Sequence, residues 1–306
     1  MKRERGVALI VAVLLVALAT LIVASLIDTT DLALARTRNL VREQQANAYA
    51  RGLETWALDW LRRDQNEEPG IDSNNDVWAR PLPPLDVPGG RLSGRLRERN
   101  GCFNLNQLVV NGNADAVARR RFERLLRALK LSPELADAVI DYADADNESG
   151  ARGAEDMAYL LARPPRRAAN QSFAHVSELR LVRGIDEAVY RVLEPQVCAN
   201  PDASAINVNT ATPQVLMSLV DNLDEAQARK LNDEGRARMA SVEAFEAKLA
   251  QFGWVLDGGP VGIGVASDQF LAEAVVELDG IPFRYYSRIE REPRGHRVSG
   301  RSRGVD

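Results

Sequence analysis

The sequence predicts an α+β fold: a long N-terminal helix packed on a small antiparallel sheet, with a large α-helical domain inserted between sheet strands. Three observations carry this. An apolar run over residues 7–27 continues as helical periodicity to residue 62, with no proline and no glycine before Gly52. Strand-and-turn chemistry occurs only around 90–105 and again beyond 270. Everything between reads as short helices, so two β pieces flank a helical block. At 306 residues, 45% hydrophobic and 27% charged, the chain has material for one large or two modest cores.

The first element opens with Met1-Lys2-Arg3-Glu4-Arg5-Gly6, and no charge follows until Asp28. The apolar run is close to the ~20 residues a helix needs to cross a bilayer. An ordinary secretory signal is cut after its apolar region, whereas a short basic leader ending in Gly6 against the run suggests cutting before it. The competing reading is a plain single-pass anchor that starts at residue 1. Lys2, Arg3 and Arg5 place that end in the cytoplasm and the bulk of the chain outside, which in a bacterium means an inner-membrane protein facing the periplasm. The helix is expected over 7–63, with 7–27 in the membrane and its second half packed on a domain.

Residues 64–88, rich in Asn, Asp, Pro and Gly, are expected to form a long irregular connection. A strand follows at 90–99, then Asn100-Gly101 as a hairpin turn into 102–105. Helices are expected at 116–129, 132–143, 156–161, 176–181, 186–192, 213–219, 225–232 and 241–252, with Thr210 or Thr212 as an N-cap ahead of Pro213. Strands return at 270–278 and 283–290, joined by Asp279-Gly280, and at 297–301. The β-domain is therefore assigned to 64–106 and 264–306, and the inserted α-domain to 107–263.

A net charge of −4 supplies no basic face for nucleic acid. Cys102 and Cys198 are the only cysteines. In an oxidising compartment an even pair far apart in sequence favours a disulfide over a metal site, and the competing reading is two buried thiols. The densest site chemistry is acidic: Asp141, Asp144, Asp146, Glu148, Gly150, Glu155 and Asp156. Counting Asp144 as the first position of a calcium loop puts Asp146 third, Glu148 fifth, Gly150 at the backbone-carbonyl seventh and Glu155 twelfth. Ser149 takes the sixth position, where an EF-hand requires glycine, so a calcium loop of different geometry is expected. Zinc is disfavoured, because His175 and His296 are the only histidines and neither is near. The competing reading is a solvated acidic loop.

Segments 173–193 and 206–219 suggest helix-hairpin-helix modules of the kind used on DNA. The second hairpin reads Val220-Asp221-Asn222-Leu223-Asp224-Glu225, whose acids would repel phosphate, so a structural or protein-contact role is expected. No Gly-x-Ser-x-Gly, phosphate loop or HExxH is present, and no enzyme is expected. A membrane-anchored helix-hairpin-helix DNA-binding protein is the alternative function.

The Gly6-ended leader and long helix resemble a type IV prepilin or pseudopilin. With Phe103-Asn104-Leu105-Asn106, Asp144-x-Asp146, Gly153-Ala154-Glu155-Asp156, Ser177-Glu178-Leu179 and Ile206-Asn207-Val208-Asn209-Thr210-Ala211, the chain is similar over nearly its whole length to the general secretion pathway protein K family. These are the largest minor pseudopilins of the type II secretion system. The resemblance implies cleavage after Gly6 and N-methylation of Val7 by the prepilin peptidase, and a pilin-like fold interrupted by an α-domain. It also implies structural calcium in the acidic block, and assembly with the I and J minor pseudopilins, then other pseudopilins, at the pseudopilus tip. Pilins carry Glu at the fifth mature position, here Val11. A carboxylate there would neutralise the N-terminal amine of the adjoining subunit, so a chain with Val11 suits a filament end better than the shaft.

Overall fold

The computed structural model describes residues 4–200, 204–293 and 295–304; Lys2 and Arg3 of the leader lie outside them. One helix, α1 (Glu4–Glu67), runs without a break from the leader to four residues beyond the expected end at Arg63. Its side chains from Val7 to Val41 are all exposed, including Leu32, Leu34, Leu40 and Val41, which the periodicity placed on a packing face. Packing begins later. Ala46, Ala50, Leu53, Ala57 and Leu61, spaced three or four apart, are at most 7% exposed and form a seam of mostly small residues facing the sheet. The first half is thus a helix long and apolar enough to cross a membrane.

That sheet has five strands: β1 (Leu82–Val87), β2 (Gly90–Glu98), β3 (Gln269–Leu278), β4 (Ile281–Glu292) and β5 (Gly295–Arg303), paired in this order and antiparallel throughout. The β2–β3 ladder runs from Gly90 opposite Leu278 to Glu98 opposite Phe270, so the strands on either side of the helical block are direct neighbours. The β3–β4 hairpin turns at Asp279-Gly280, both at positive φ (49° and 78°), as an Asp-Gly turn with right-handed strand twist requires.

Two expectations need correction here. The 64–88 connection contains a strand: β1 pairs with β2, and its prolines, Pro83 and Pro84, fall where the register shifts between Leu82 and Leu85. Proline is tolerated on an edge strand because the missing N–H would have faced solvent. The first hairpin is therefore β1–β2 and not a turn at Asn100-Gly101. Asn100 is 2% exposed. Its side chain donates to the Ala205 carbonyl (3.1 Å) and to Asp268 (2.7 Å), and accepts from the N–H groups of Asp268 and Gln269. Gly101 is needed for close approach, since a Cβ there would lie 2.7 Å from the Thr210 carbonyl oxygen. Phe103–Asn104 then pairs in parallel with Val197–Cys198, inside the helical block.

The block holds α2 (Ala116–Ala128), α3 (Leu135–Ala143), α4 (Asp156–Leu160), a 3₁₀ turn (Val176–Leu181), α5 (Glu187–Leu193), α6 (Pro213–Leu219), α7 (Glu225–Leu231) and α8 (Val242–Ala250). Thr212, not Thr210, caps α6 by accepting from the Val215 N–H. These elements share one apolar core, from Phe103 to Ile263, separate from the two smaller clusters between α1 and the sheet. Cys102 and Cys198 are bonded, with Cα atoms 5.8 Å apart, closing a 96-residue separation within this block. Arg121, 2% exposed, gives its guanidinium to the carbonyls of Asp257, Gly259 and Val261. The buried guanidinium thereby gains the hydrogen-bond partners that a charge removed from water needs.

Glu54 on α1 is 8% exposed and accepts from Arg301 on β5 (2.7 and 2.8 Å) and from the Ser287 hydroxyl on β4 (2.7 Å). Burial raises its carboxyl pKa, but these bonds outweigh that and hold it below the ordinary value. The α1–sheet contact is close enough to test with glycines. A Cβ on Gly94 would stand 2.3 Å from Leu53 Cδ1 and 2.7 Å from the Glu273 carbonyl, whereas one on Gly52 would meet nothing within 4 Å. Gly94→Val should therefore destabilise by about 1–3 kcal/mol and Gly52→Ala should stabilise by about 0.5–1 kcal/mol, read as opposite shifts in thermal midpoint.

Candidate functional site

The acidic block occupies the loop between α3 and α4. Asp144 ends α3 in extended backbone (φ −74°, ψ 172°) and Glu155 precedes α4 in the same state (φ −104°, ψ −178°), so two elements of one core aim their flanking carboxylates at each other. Asp144, Asp146 and Glu155 each bring an oxygen within 4.8 Å of the others. Asp144 is 5% and Glu155 6% exposed, and Asp146 is open to solvent. Asp144 Oδ1 and both oxygens of Glu155 are buried with no hydrogen-bond partner. Unpaired buried carboxylate oxygens carry a full desolvation penalty. Burial, and then the neighbouring acids, push Asp144 up to about 6 and Glu155 up to about 7.

The remaining residues of the block are placed differently. Asp141 accepts the Gly150 N–H at 2.9 Å, and Gly153 passes so close that a Cβ would sit 1.7 Å from Asp141 Oδ2. Burial raises the Asp141 carboxyl as well. Glu148 is exposed and its N–H donates to Asp146 at 2.7 Å. Asp156 turns away, accepting the Ala168 N–H at 3.0 Å, with Arg167 3.8 Å distant. Gly150 thus serves through its N–H to Asp141. Asp137, which the sequence did not single out, accepts the Arg152 N–H at 3.0 Å and pairs with Arg119. It braces the far side of the same loop.

A second carboxylate cluster, Asp64, Asp72 and Asp76, also escaped the sequence reading because its segment looked like a plain connection. Here the charge is answered by guanidinium groups. Arg291 meets Asp72 at 2.6 and 3.0 Å, and Arg238 pairs with Asp76 and Glu68. Asp76 also accepts from the Ser73 N–H and from Trp78 Nε1. The signal available was the density of Asp and Asn in Asp72-Ser73-Asn74-Asn75-Asp76 before a tryptophan. Burial, then Asp76 and Asp72, push Asp64 up to about 7, with Arg291 3.8 Å away. The contrast is informative: among the described residues Asp144, Asp146 and Glu155 have no such cation.

An all-oxygen set with two buried carboxylates, no His and no Cys is the donor chemistry of a hard cation such as calcium. His175 is used elsewhere, capping the 3₁₀ turn by accepting the Ser177 N–H. The hairpin-like segments are structural. Asn207 gives its amide to the Asp72 carbonyl and to Ser267 Oγ, and Asn209 gives its amide to the Met239 carbonyl. Gly184, at φ +86°, makes the turn between the 3₁₀ turn and α5.

A single helix whose front half lies bare and whose back half lies on an antiparallel sheet is the pilin-like class of fold. Family models described as type II secretion system (T2SS), protein K match residues 101–202 and 206–264. The type II secretion system protein K of Pseudomonas aeruginosa is 38% identical over 282 residues, covering 88% of this chain and 84% of that protein. That of Pectobacterium carotovorum is 36% identical over 261 residues, 80% and 79% of the two chains. The chain belongs to the type II secretion system protein K family. A chain of the crystal structure of the GspK–GspI–GspJ complex from enterotoxigenic Escherichia coli superposes with a TM-score of 0.75 at 27% identity, over 89% of this chain and all of that one.

With chelator present, the raised carboxyls of Asp144 and Glu155 make the folded state hold protons that the unfolded state releases. Their contribution is fully present below the unfolded values near 4 and is lost as pH rises through about 7. The thermal midpoint in chelator should thus fall between pH 5 and pH 8, and Glu155→Gln should flatten that fall. Gly153→Ala, which drives a methyl into Asp141, should lower the midpoint at every pH.

Proposed function

We propose that this chain is a minor pseudopilin of the type II secretion system, which caps or initiates the pseudopilus tip with the I and J minor pseudopilins. It would thereby serve the export of folded periplasmic proteins across the outer membrane. The observation that carries this is the uncovered helix: every side chain from Val7 to Val41 is exposed in a chain whose relatives are secretion-system K proteins. Residues 7–27 have the length and composition of a membrane span, and the exposed apolar positions beyond them, Leu32, Leu34, Leu40 and Val41, offer a seam for partner helices. The solved neighbour is a complex with GspI and GspJ, which supports I and J as the partners.

In this reading the prepilin peptidase cuts after Gly6 and methylates Val7, leaving a single-pass inner-membrane protein with residues 28–306 in the periplasm. Val11 supplies no carboxylate for a neighbour's N-terminus, which suits an end position. The α-domain inserted between β2 and β3, whose core begins at Phe103, is bulk that a free end of a filament accommodates and a helical shaft would not. The role is structural, without catalysis: the second hairpin exposes Asp221, Asn222, Asp224 and Glu225, and Arg124 beside it is held by Asp221 and Asp257.

Calcium would be held by Asp144, Asp146 and Glu155. Bound there it would neutralise carboxylates that repel one another and fasten the end of α3 to the start of α4. Asp141, through Gly150, and Asp137, through Arg152, hold the loop in the shape that brings the three together.

Two measurements test these statements. Mass spectrometry of the membrane-extracted protein should find an N-terminal methylated Val7; chains beginning at Met1 in cells with active peptidase would contradict the assignment. Added calcium should raise the thermal midpoint over chelator, by ~2.7 kcal/mol of stability at a hundred times the dissociation constant. The gain should be larger at pH 8 than at pH 5, because protons compete for the raised carboxyls, and Asp144→Asn should abolish it.

A further inference from the structure

The α-domain carries an apolar stripe on the side of α4 turned away from its core. Met157, Leu160 and Leu161 are spaced i, i+3, i+4 and so share a face, and they are 72%, 44% and 82% exposed. Tyr159, between them, is 2% exposed and roots the element in the core. Leu181 is also exposed, at 41%. The Arg166 guanidinium donates to the Leu181 carbonyl at 2.8 Å while lying 5.3 Å over the Tyr159 ring, and the Arg183 N–H donates to the Tyr159 hydroxyl at 3.2 Å. The apolar knobs therefore stand on a braced platform.

The flank is cationic. Residues 157–167 contain Arg163, Arg166 and Arg167 and no acid. Arg163 is exposed and makes no ion pair among the described residues, and the Arg167 side chain is 78% exposed with Asp156 3.8 Å away. Protruding side chains of this kind suit a pocket in a partner, and charges at the rim, here Arg163 and the exposed, weakly paired Arg167, fix orientation and exclude wrong surfaces.

We propose that this face docks a protein surface that presents an apolar pocket rimmed by carboxylates. A lipid surface fits less well. Electrostatic adhesion to a bilayer draws on roughly 4–8 clustered basic residues, whereas here Arg166 is committed to Leu181 and the exposed acids Asp186 and Glu187 dilute the field beside Arg183. The surface lies on the α-domain, apart from the bare face of α1, and α4 starts directly after Glu155, so the loop proposed for calcium and the docking face share one turn. Docking needs no metal. It rests on the reading that the chain works inside an assembled secretion machine.

The test uses the full-length chain in secreting cells with a photo-crosslinking residue at Leu161, and a second strain with it at Leu40 on α1. Leu161 should give a discrete protein adduct whose attached peptide, read by mass spectrometry, contains Asp or Glu beside the attachment point. The double variant Arg163→Glu, Arg167→Glu should reduce that adduct about tenfold at an unchanged thermal midpoint, and Arg163→Lys, Arg167→Lys should retain it. No Leu161 adduct while Leu40 still crosslinks to other pseudopilins would overturn the docking surface. So would an adduct to lipid alone, one indifferent to charge reversal, or one without neighbouring acids. Absence of both adducts would overturn the secretion-machine reading and this proposal with it.

Discussion

The β2–β3 ladder is the constraint on which the rest of the molecule depends. By placing Gly90 opposite Leu278 and Glu98 opposite Phe270, it returns the chain to the strand it left and obliges everything between to form a body of its own. That body has its own apolar core and closes on itself through the Cys102–Cys198 bond and the parallel pairing of Phe103–Asn104 with Val197–Cys198. The sheet in turn gives α1 something to lie on. Small residues at Ala46, Ala50 and Ala57, with Gly94 opposite Leu53, let the helix approach the strands closely, and Glu54 locks it by its bonds to Arg301 and Ser287.

Buried asparagines do the joining at the seam between sheet and insertion. Asn100 holds the exit of β2 against Asp268 and Gln269 at the entry of β3 and Asn207 reaches Asp72 and Ser267, while within the insertion Asn106 ties Phe173 to Asn200. A short amide with both donor and acceptor satisfies backbone groups that no regular element reaches, at the cost of demanding complete partnering in a low-dielectric setting. The Asn-rich motifs that suggested a DNA module are therefore used to hold irregular backbone together.

Two acidic clusters show how the same side chains take different roles. At Asp72 and Asp76 the compensating charge is covalently part of the chain, carried by Arg291 and Arg238 from β4 and from the loop before α8. At Asp144 and Glu155 the oxygens are as deeply buried, and among the described residues no guanidinium reaches them. Burial, and then the acids around it, push the Glu155 carboxyl up to about 7.

Much of this was legible in the residue order because it depends on local chemistry. The uncharged run at 7–27, the Asp279-Gly280 turn and the strands it joins, and Pro213 at the start of α6 each act over a few residues, and each lies where its pattern placed it. What tertiary structure decided was pairing. Asn100-Gly101 has the composition of a hairpin turn, but the partner of β2 proved to be a proline-bearing edge strand on one side and a strand far along the chain on the other. Likewise the acids of 141–156 were visible as a group, yet only the fold chose which converge. Asp144 and Glu155 face each other because α3 and α4 pack in one core, and Asp156, one residue on, turns to Ala168 because helical geometry sends it the other way. Sequence spacing measures distance along the chain, whereas desolvation and charge act through space, and only the packed chain relates the two.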